Sequence, residues 1–314
     1  MNDRRAIIID TDPGNDDAVA IWLALACSDR LDIRAITAVA GNVSLMLTER
    51  NARAIVGIAG RADVPVHAGC AAPWHRPLIT EERIHGASGI DGADLPPPTH
   101  PLADGHAVDA IIDIVMGAPD KTITLCPLGP LTNIATAFAR EPRIVPRLRE
   151  IVLMGGAIGL GNITPSAEFN IHVDPHAADA VFRADAPIVM IPLDATHQAL
   201  ADAAWAQRMR ALGTQTGKAI AGMLARGLQR DLSRFGGRGA PLHDPCVIAY
   251  LLWPELFQGT HCAVAVETMS ELTMGRTVVD RWRRTAARPN ALVIERVDAP
   301  PLFARMAERL ARLP

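Results

Sequence analysis

Short runs of β-branched and aliphatic residues alternate along this chain with alanine-rich stretches whose apolar positions recur every three or four residues. An unbroken apolar run or a period of two marks a strand, and a period near 3.6 marks a helix. The pattern predicts strands at 6–10, 33–39, 122–126, 150–154, 187–193, 263–267 and 291–295. It predicts helices at 16–27, 46–59, 104–117, 130–140, 174–184, 202–212, 215–230 and 245–252. Several of these helices open on Asp, Ser, Thr or Pro, which suit the free N–H groups of a first turn. Strands alternating with helices predict βαβ units, hence an α/β fold with an open, mostly parallel β-sheet flanked by helices. Two stretches lack either period: 70–103, with LPPPTHP at 95–101, and 231–243, where RFGGRGAPLHDP runs into the next helix. Loops of that length in a compact domain often act as lids.

Composition sets the size and narrows the partners. A chain of 314 residues, 49% hydrophobic, can bury a large core, and it is taken as a single domain over 1–314. The 31 basic and 34 acidic residues are interspersed and leave a formal charge of −3. That balance suits neither a nucleic-acid groove nor an anionic membrane, so a small molecule is the expected partner. No apolar run approaches the ~20 residues that span a bilayer, and no leader pattern precedes Ile7, so a cytoplasmic location is expected. Cys27, Cys70, Cys126, Cys246 and Cys262 are scattered and never paired as CxxC, which reads as reduced core thiols.

The chemistry concentrates in IIIDTDPGNDDAVAIWLALA at 7–26, where Asp10, Asp12, Asp16 and Asp17 crowd the turn between a strand and a helix. Alternate residues of a strand share a side, so Asp10 and Asp12 leave the strand end together, while Asp16 and Asp17 start the helix. Open α/β sheets bind ligands at that end of their strands. A helix N-terminus offers only about half a positive charge. Any one of these acids is an ordinary turn or cap residue, but four together require a cation, protonation or water. An oxygen-only set suits a hard divalent ion, and Ca²⁺ is the preferred solution. In APLHDPCVIAYLLW at 240–253, Asp244 by itself reads as an N-cap and His243 as an incidental loop residue. In MGGAIGLGNITPSAEFNIHVDP at 154–175 the glycines do not keep the dinucleotide spacing, and Asn162, Glu168 and Asn170 suit the gripping of vicinal hydroxyls.

Together, DTDPGNDDA at 10–18, GN at 41–42, LCPLGPLTNIA at 125–135, GNITPSAEFN at 161–170 and HDP at 243–245 resemble, in order and across the chain, a nucleoside hydrolase of the inosine–uridine-preferring type. The resemblance implies a Ca²⁺-dependent N-ribohydrolase with a Rossmann-like core, assembled as a homo-oligomer, a dimer or tetramer. It implies Asp12, Asp17, Asp244 and the backbone carbonyl of Leu128 as metal ligands, with Asp12 also taking a proton from the metal-bound water. It further implies that Asp16, Asn42, Asn162, Glu168 and Asn170 hold the ribose, with Asp244 also at the substrate and Asp10 in support.

The only tyrosine, Tyr250, falls inside a predicted helix, so His85, Phe169 and His243 are the candidate neighbours of the base, with Trp74, Gln229 and Phe235 as possible contributors. His243, beside Asp244, is the candidate acid for the leaving group, and shaping the loop is its alternative role. His85 reads equally well as a solvated loop residue. Two other readings stay open. A haloacid-dehalogenase-like phosphatase also ends a strand in D-x-D, but Lys121 and Lys218 are the only lysines and neither sits beside such a strand end. A non-catalytic nucleoside- or sugar-binding protein has no need of a water-activating Asp12.

Overall fold

The computed structural model describes residues 4–231 and 233–314. The chain forms β1 (Arg5–Thr11), α1 (Asn15–Ala26), β2 (Leu31–Ala38), α2 (Leu45–Ile58), β3 (Val66–Ala68), α3 (Glu82–His85), α4 (Ala107–Gly117), β4 (Ile123–Pro127) and α5 (Thr132–Arg140). It continues through β5 (Glu150–Met154), α6 (Phe169–Val173), α7 (Pro175–Phe182), β6 (Ile188–Ile191), α8 (Leu193–Thr196), β7 (Leu200–Ala201), α9 (Ala203–Ala211) and α10 (Gln215–Arg230). The last elements are β8 (Ala240–Pro241), α11 (Pro245–Leu252), β9 (Phe257–Val266), β10 (Thr277–Asp280), β11 (Ala291–Val297) and α12 (Ala299–Leu310).

Nine strands make one sheet in the order β10-β9-β11-β6-β5-β4-β1-β2-β3, while β7 and β8 pair separately. All neighbours from β11 to β3 run parallel, and β9 is antiparallel to both β11 and β10. The chain builds outward from β1 to β3, then returns across β1 to start β4. The carboxyl ends of β1 and β4 therefore diverge, and open sheets bind ligands at such a switch of direction.

Helices cover both faces, which is why the central strands read as unbroken apolar runs. Ile7 and Ile9 of β1 pack into a core with α1, α2, α9, α10, α11 and α12, whereas Ile8 faces the core built with α4, α5 and α7.

The predicted elements are present, with shifted ends. The strand expected at 263–267 is the end of a ten-residue strand whose outer half is exposed on four successive residues, which hides its period. The edge strands β3 and β10 and the pair β7–β8 are too short for a period to show. α12 also lies beyond the predicted set, although Leu302, Met306 and Leu310 form its buried stripe and prolines open it after Asp298.

Trp22 of α1 is wholly buried and its indole N–H donates to the Ile55 carbonyl at 3.0 Å. Trp22→Ala leaves a cavity and an unpaired carbonyl, and is expected to lower the unfolding free energy by about 3–5 kcal/mol. Urea unfolding measures this, and a loss below about 1 kcal/mol would contradict the packing described.

Candidate active site

Both carboxylates that leave β1 are buried. Asp10 Oδ1 accepts from Thr37 Oγ1 at 2.6 Å and from Asn133 Nδ2 at 2.8 Å. Asp12 Oδ2 accepts from the Asn42 N–H at 2.7 Å, but Asp12 Oδ1 is buried without a hydrogen-bond partner among the described residues. Two glycines clasp this carboxylate. A Cβ at Gly41 would lie 2.1 Å from Asp12 Oδ2, and one at Gly129 would lie 2.4 Å from Asp12 Oδ1. The first belongs to the loop after β2 and the second to the turn after β4, so three strand ends converge on one side chain.

Asp17 sits at the third position of α1 and reaches back to the N–H of Gly14 at 2.9 Å, while its other oxygen accepts from Thr11 Oγ1 at 2.5 Å. Asp16, Asp17 and Asp244 each bring a carboxylate oxygen within 4.8 Å of the others. 

Asp12 and Asp244 are pushed well above the ordinary carboxylate range by burial and then by one another's neighbours, Asp17 for Asp12 and Asp16 for Asp244. Burial likewise lifts Asp17 to about 6, with Asp16 adding to the effect, and lifts Asp10 to about 7. Like charges held this close in a dry setting ask for a positive partner. The donor set is oxygen throughout, and the orphaned Asp12 oxygen has no protein donor, so these residues fit a hard divalent cation.

The cluster floors a pocket lined by Asp16, Asn42, His85, Leu128, Asn162, Glu168, Phe169, Asn170, His243 and Asp244, which brings together ten of the residues expected from the sequence. Asp12 and Asp17 lie buried at its base. The amide orientations follow from their partners. Asn162 Oδ1 accepts from the Phe169 N–H at 2.8 Å, which leaves Asn162 Nδ2 as a donor. Asn170 Nδ2 donates to the carbonyls of Leu128 at 2.6 Å and Met154 at 3.2 Å, which leaves Asn170 Oδ1 as an acceptor. Glu168 caps α6, accepting from the N–H groups of Gly156, Asn170 and Ile171, yet burial still lifts its carboxyl to about 7. A wall of fixed donors and acceptors above a carboxylate floor suits a polyhydroxylated ring.

The opposite wall carries the histidines. His85, at the end of α3, accepts the Asn15 N–H on Nδ1 at 3.2 Å, which places its ring proton on Nε2, and burial lowers its pKa to about 4. His85 is thus docked on the start of α1 rather than solvated. The His243 N–H donates to Asp16 Oδ2 at 3.3 Å, and its ring meets that of His197 edge-on at 5.6 Å. Phe235 packs on His197 and also lines the pocket.

Trp74 does not line the pocket, because its indole N–H donates to Thr136 Oγ1 on α5, and Gln229 is exposed on α10 outside it. Asn15, Glu81, His197, Arg230, Asp231 and Arg234 line it without having been singled out. Asp231 and Arg234 lie within the loop read as a lid and Arg230 directly precedes it, whereas nothing in the sequence around His197 marks it. All five cysteines are free, and burial pushes Cys70 up to about 11 and Cys126 up to about 12, so neither is a nucleophile at neutral pH.

Comparison with known proteins matches residues 7–304 to the inosine-uridine preferring nucleoside hydrolase family model. A pyrimidine-specific ribonucleoside hydrolase RihA from a Shewanella species is 43% identical over 98% of this chain and 96% of its own length. An uncharacterised protein of Schizosaccharomyces pombe is 46% identical over 98% of this chain and 99% of its own. Among solved structures, a purine-preferring ribonucleoside hydrolase from Gardnerella vaginalis superposes with a TM-score of 0.91 at 34% identity, covering 98% of both chains.

The glycine clasp generates a test. Gly41→Ala drives a methyl group into the Asp12 carboxylate and is expected to lower kcat/KM by roughly 10²-fold, the scale of a displacement near 1 Å at reacting groups. Gly117→Ala, where a Cβ meets nothing within 4 Å, is the control. Steady-state kinetics on both variants checks this, and equal activities would contradict the clasp.

Proposed function

The chain belongs to the inosine-uridine preferring nucleoside hydrolase family and hydrolyses the N-glycosidic bond of ribonucleosides, and from that premise we propose which of its residues do the work. Asp12, Asp17, Asp244 and the backbone carbonyl of Leu128 are the residues that would hold a calcium ion. The observation that carries this reading is the buried Asp12 Oδ1 with no protein partner, set among carboxylates that burial and mutual repulsion disfavour. When bound, such an ion neutralises the cluster and lowers the pKa of adjacent water.

Asp12 takes the proton from the attacking water, and the water oxygen bonds to the ribose carbon as the carbon–nitrogen bond breaks. The ribose gains oxocarbenium character in that step, which the carboxylates stabilise more than they stabilise neutral substrate. Asp16, Asn42, Asn162, Glu168 and Asn170 hold the ribose hydroxyls, with Asp244 reaching them from the floor and Asp10 bracing the strand end. Phe169, His85 and Phe235 surround the base. His243 hands a proton to the departing base, an act worth roughly 10²–10⁴-fold.

The preferred base on this reading is a pyrimidine, supported by the specificity named for the Shewanella relative at 43% identity. The phosphatase and non-catalytic readings find no support in the family or in the solved neighbours. Assembly as a homo-oligomer and a cytoplasmic location complete the proposal. Leu160, Met269, Leu272 and Trp282, which expose 79%, 87%, 86% and 78% of their surface, offer apolar area for such assembly. Among the described residues no helix is long and apolar enough to cross a membrane.

A panel of uridine, inosine and 2′-deoxyuridine with and without chelator tests the activity. Uridine is expected to exceed inosine in kcat/KM, 2′-deoxyuridine to fall by roughly 10²-fold because buried partners of the 2′-hydroxyl are left unpaired, and chelator to abolish turnover. Full activity in chelator would remove the metal from the proposal, and comparable turnover of the deoxynucleoside would remove the ribose contacts.

Stability tests the ion separately. Asp17, a ligand in this reading, has its folded pKa raised to about 6, so without the ion its contribution is fully present below the ordinary carboxylate range and is lost as pH rises through about 6, where the ionised carboxylate becomes available to a cation. Chelated protein therefore loses this stabilisation between pH 5 and pH 8, and calcium is expected to raise Tm more at pH 8 than at pH 5. Equal increments at the two pH values, measured by thermal melts, would contradict it.

A further inference from the structure

Thr196 ends α8, just past the carboxyl end of β6, and is wholly buried. Its Oγ1 lies 2.7 Å from Nδ1 of His243, forty-seven positions along the chain. The same hydroxyl faces the Leu193 carbonyl at 3.4 Å, which gives its proton an acceptor and leaves its oxygen free to receive an Nδ1–H. Two further restraints act on His243: its backbone N–H on Asp16, and its ring edge on His197. With Nδ1 turned to α8, Nε2 is the ring nitrogen left to the pocket that His243 lines. We propose that Thr196 is the positioning residue for the leaving-group proton: its hydroxyl oxygen keeps one proton on Nδ1 of His243 and so aims Nε2 at the base.

The proton balance is simple. The step begins from the imidazolium, with Nδ1–H on Thr196 and a second proton, taken up from solvent, on Nε2; as the carbon–nitrogen bond breaks, its electron pair moves to the base, the Nε2 proton passes to the base, and His243 is left neutral with Nδ1–H still on Thr196. Thr196 is wholly buried and does not line the pocket, so its effect passes through His243. The inference rests on the reading of His243 as the acid, and the test separates the two.

The measurement is kcat and KM on uridine and on p-nitrophenyl riboside, whose leaving group departs as a stable anion without a proton. Thr196→Val is expected to lower kcat on uridine by roughly tenfold or more with little change in KM, and to affect p-nitrophenyl riboside far less. Thr196→Ser, which keeps the hydroxyl, restores most of the uridine rate. In the His243→Ala background, adding Thr196→Val changes the uridine rate no further, because the two act as one unit. Thr196→Ala serves the same comparison where the valine variant does not fold. Equal losses on both substrates, no rescue by serine, or additive losses in the double variant would overturn the role of Thr196. Equal losses on both substrates in His243→Ala itself would instead overturn the acid reading beneath it.

Discussion

Carboxylates gathered at the end of a buried strand repel one another and resist leaving water, and the surrounding architecture holds them in place without neutralising them. An ionised carboxylate taken out of water costs several kcal/mol even after local relaxation. A hydrogen bond to a charged group returns about 1.5–3 kcal/mol. Asp10 receives two such bonds, from Thr37 and Asn133, and Asp17 receives three, from Thr11, Gly14 and Asn42. Asp12, at the centre, keeps one oxygen with none. Asp10 Oδ2 is buried without a partner as well, but Asp12 is the one of the two that also feels the charges of Asp17 and Asp16.

The parallel sheet makes this arrangement possible. With helices on both faces, the strand ends are the one place where chain can open without exposing core, and the divergence of β1 and β4 leaves room there. Converging loops then need a close approach of backbone to side chain. Gly41 and Gly129 supply it from opposite sides of Asp12, in space where any larger residue would collide with the carboxylate. Their requirement is one of room rather than of backbone freedom.

This explains how much could be read from the chain beforehand. The β1–α1 unit was legible because a fully buried strand is an unbroken apolar run and its acids follow it directly. Asn162, Glu168 and Asn170 were legible because they fall together after β5. The fold class followed from the alternation of periods alone. What stayed hidden depends on distance in sequence. Nothing near His197 or Thr196 shows that both meet His243, and GN at 41–42 does not show that its glycine presses on Asp12. Trp74, an aromatic in a long loop, reads from the sequence as a possible neighbour of the base, but its indole N–H is held by Thr136 away from the pocket. The short edge strands failed for a simpler reason, since three or four residues cannot display a period.

The two halves of the pocket rest on different supports. The side proposed for the ribose is built from strand ends and the cap of α6, where Asp12, Asn42, Asn162, Glu168 and Asn170 are each tied to backbone by bonds of 2.6–3.0 Å. The side proposed for the base is built from α3, the end of α10 and the segment leading to α11, with Arg230 bridging Asp231 and the Ile84 carbonyl. A change of residues on that second side alters what the base meets without moving the carboxylates or the spare amide atoms of Asn162 and Asn170. His243 stands where the halves join, since the residue after it belongs to the floor and its ring belongs to the wall. The relatives matched along the chain carry names for both purine and pyrimidine preference, which fits a pocket whose one side can change while the carboxylate floor stays.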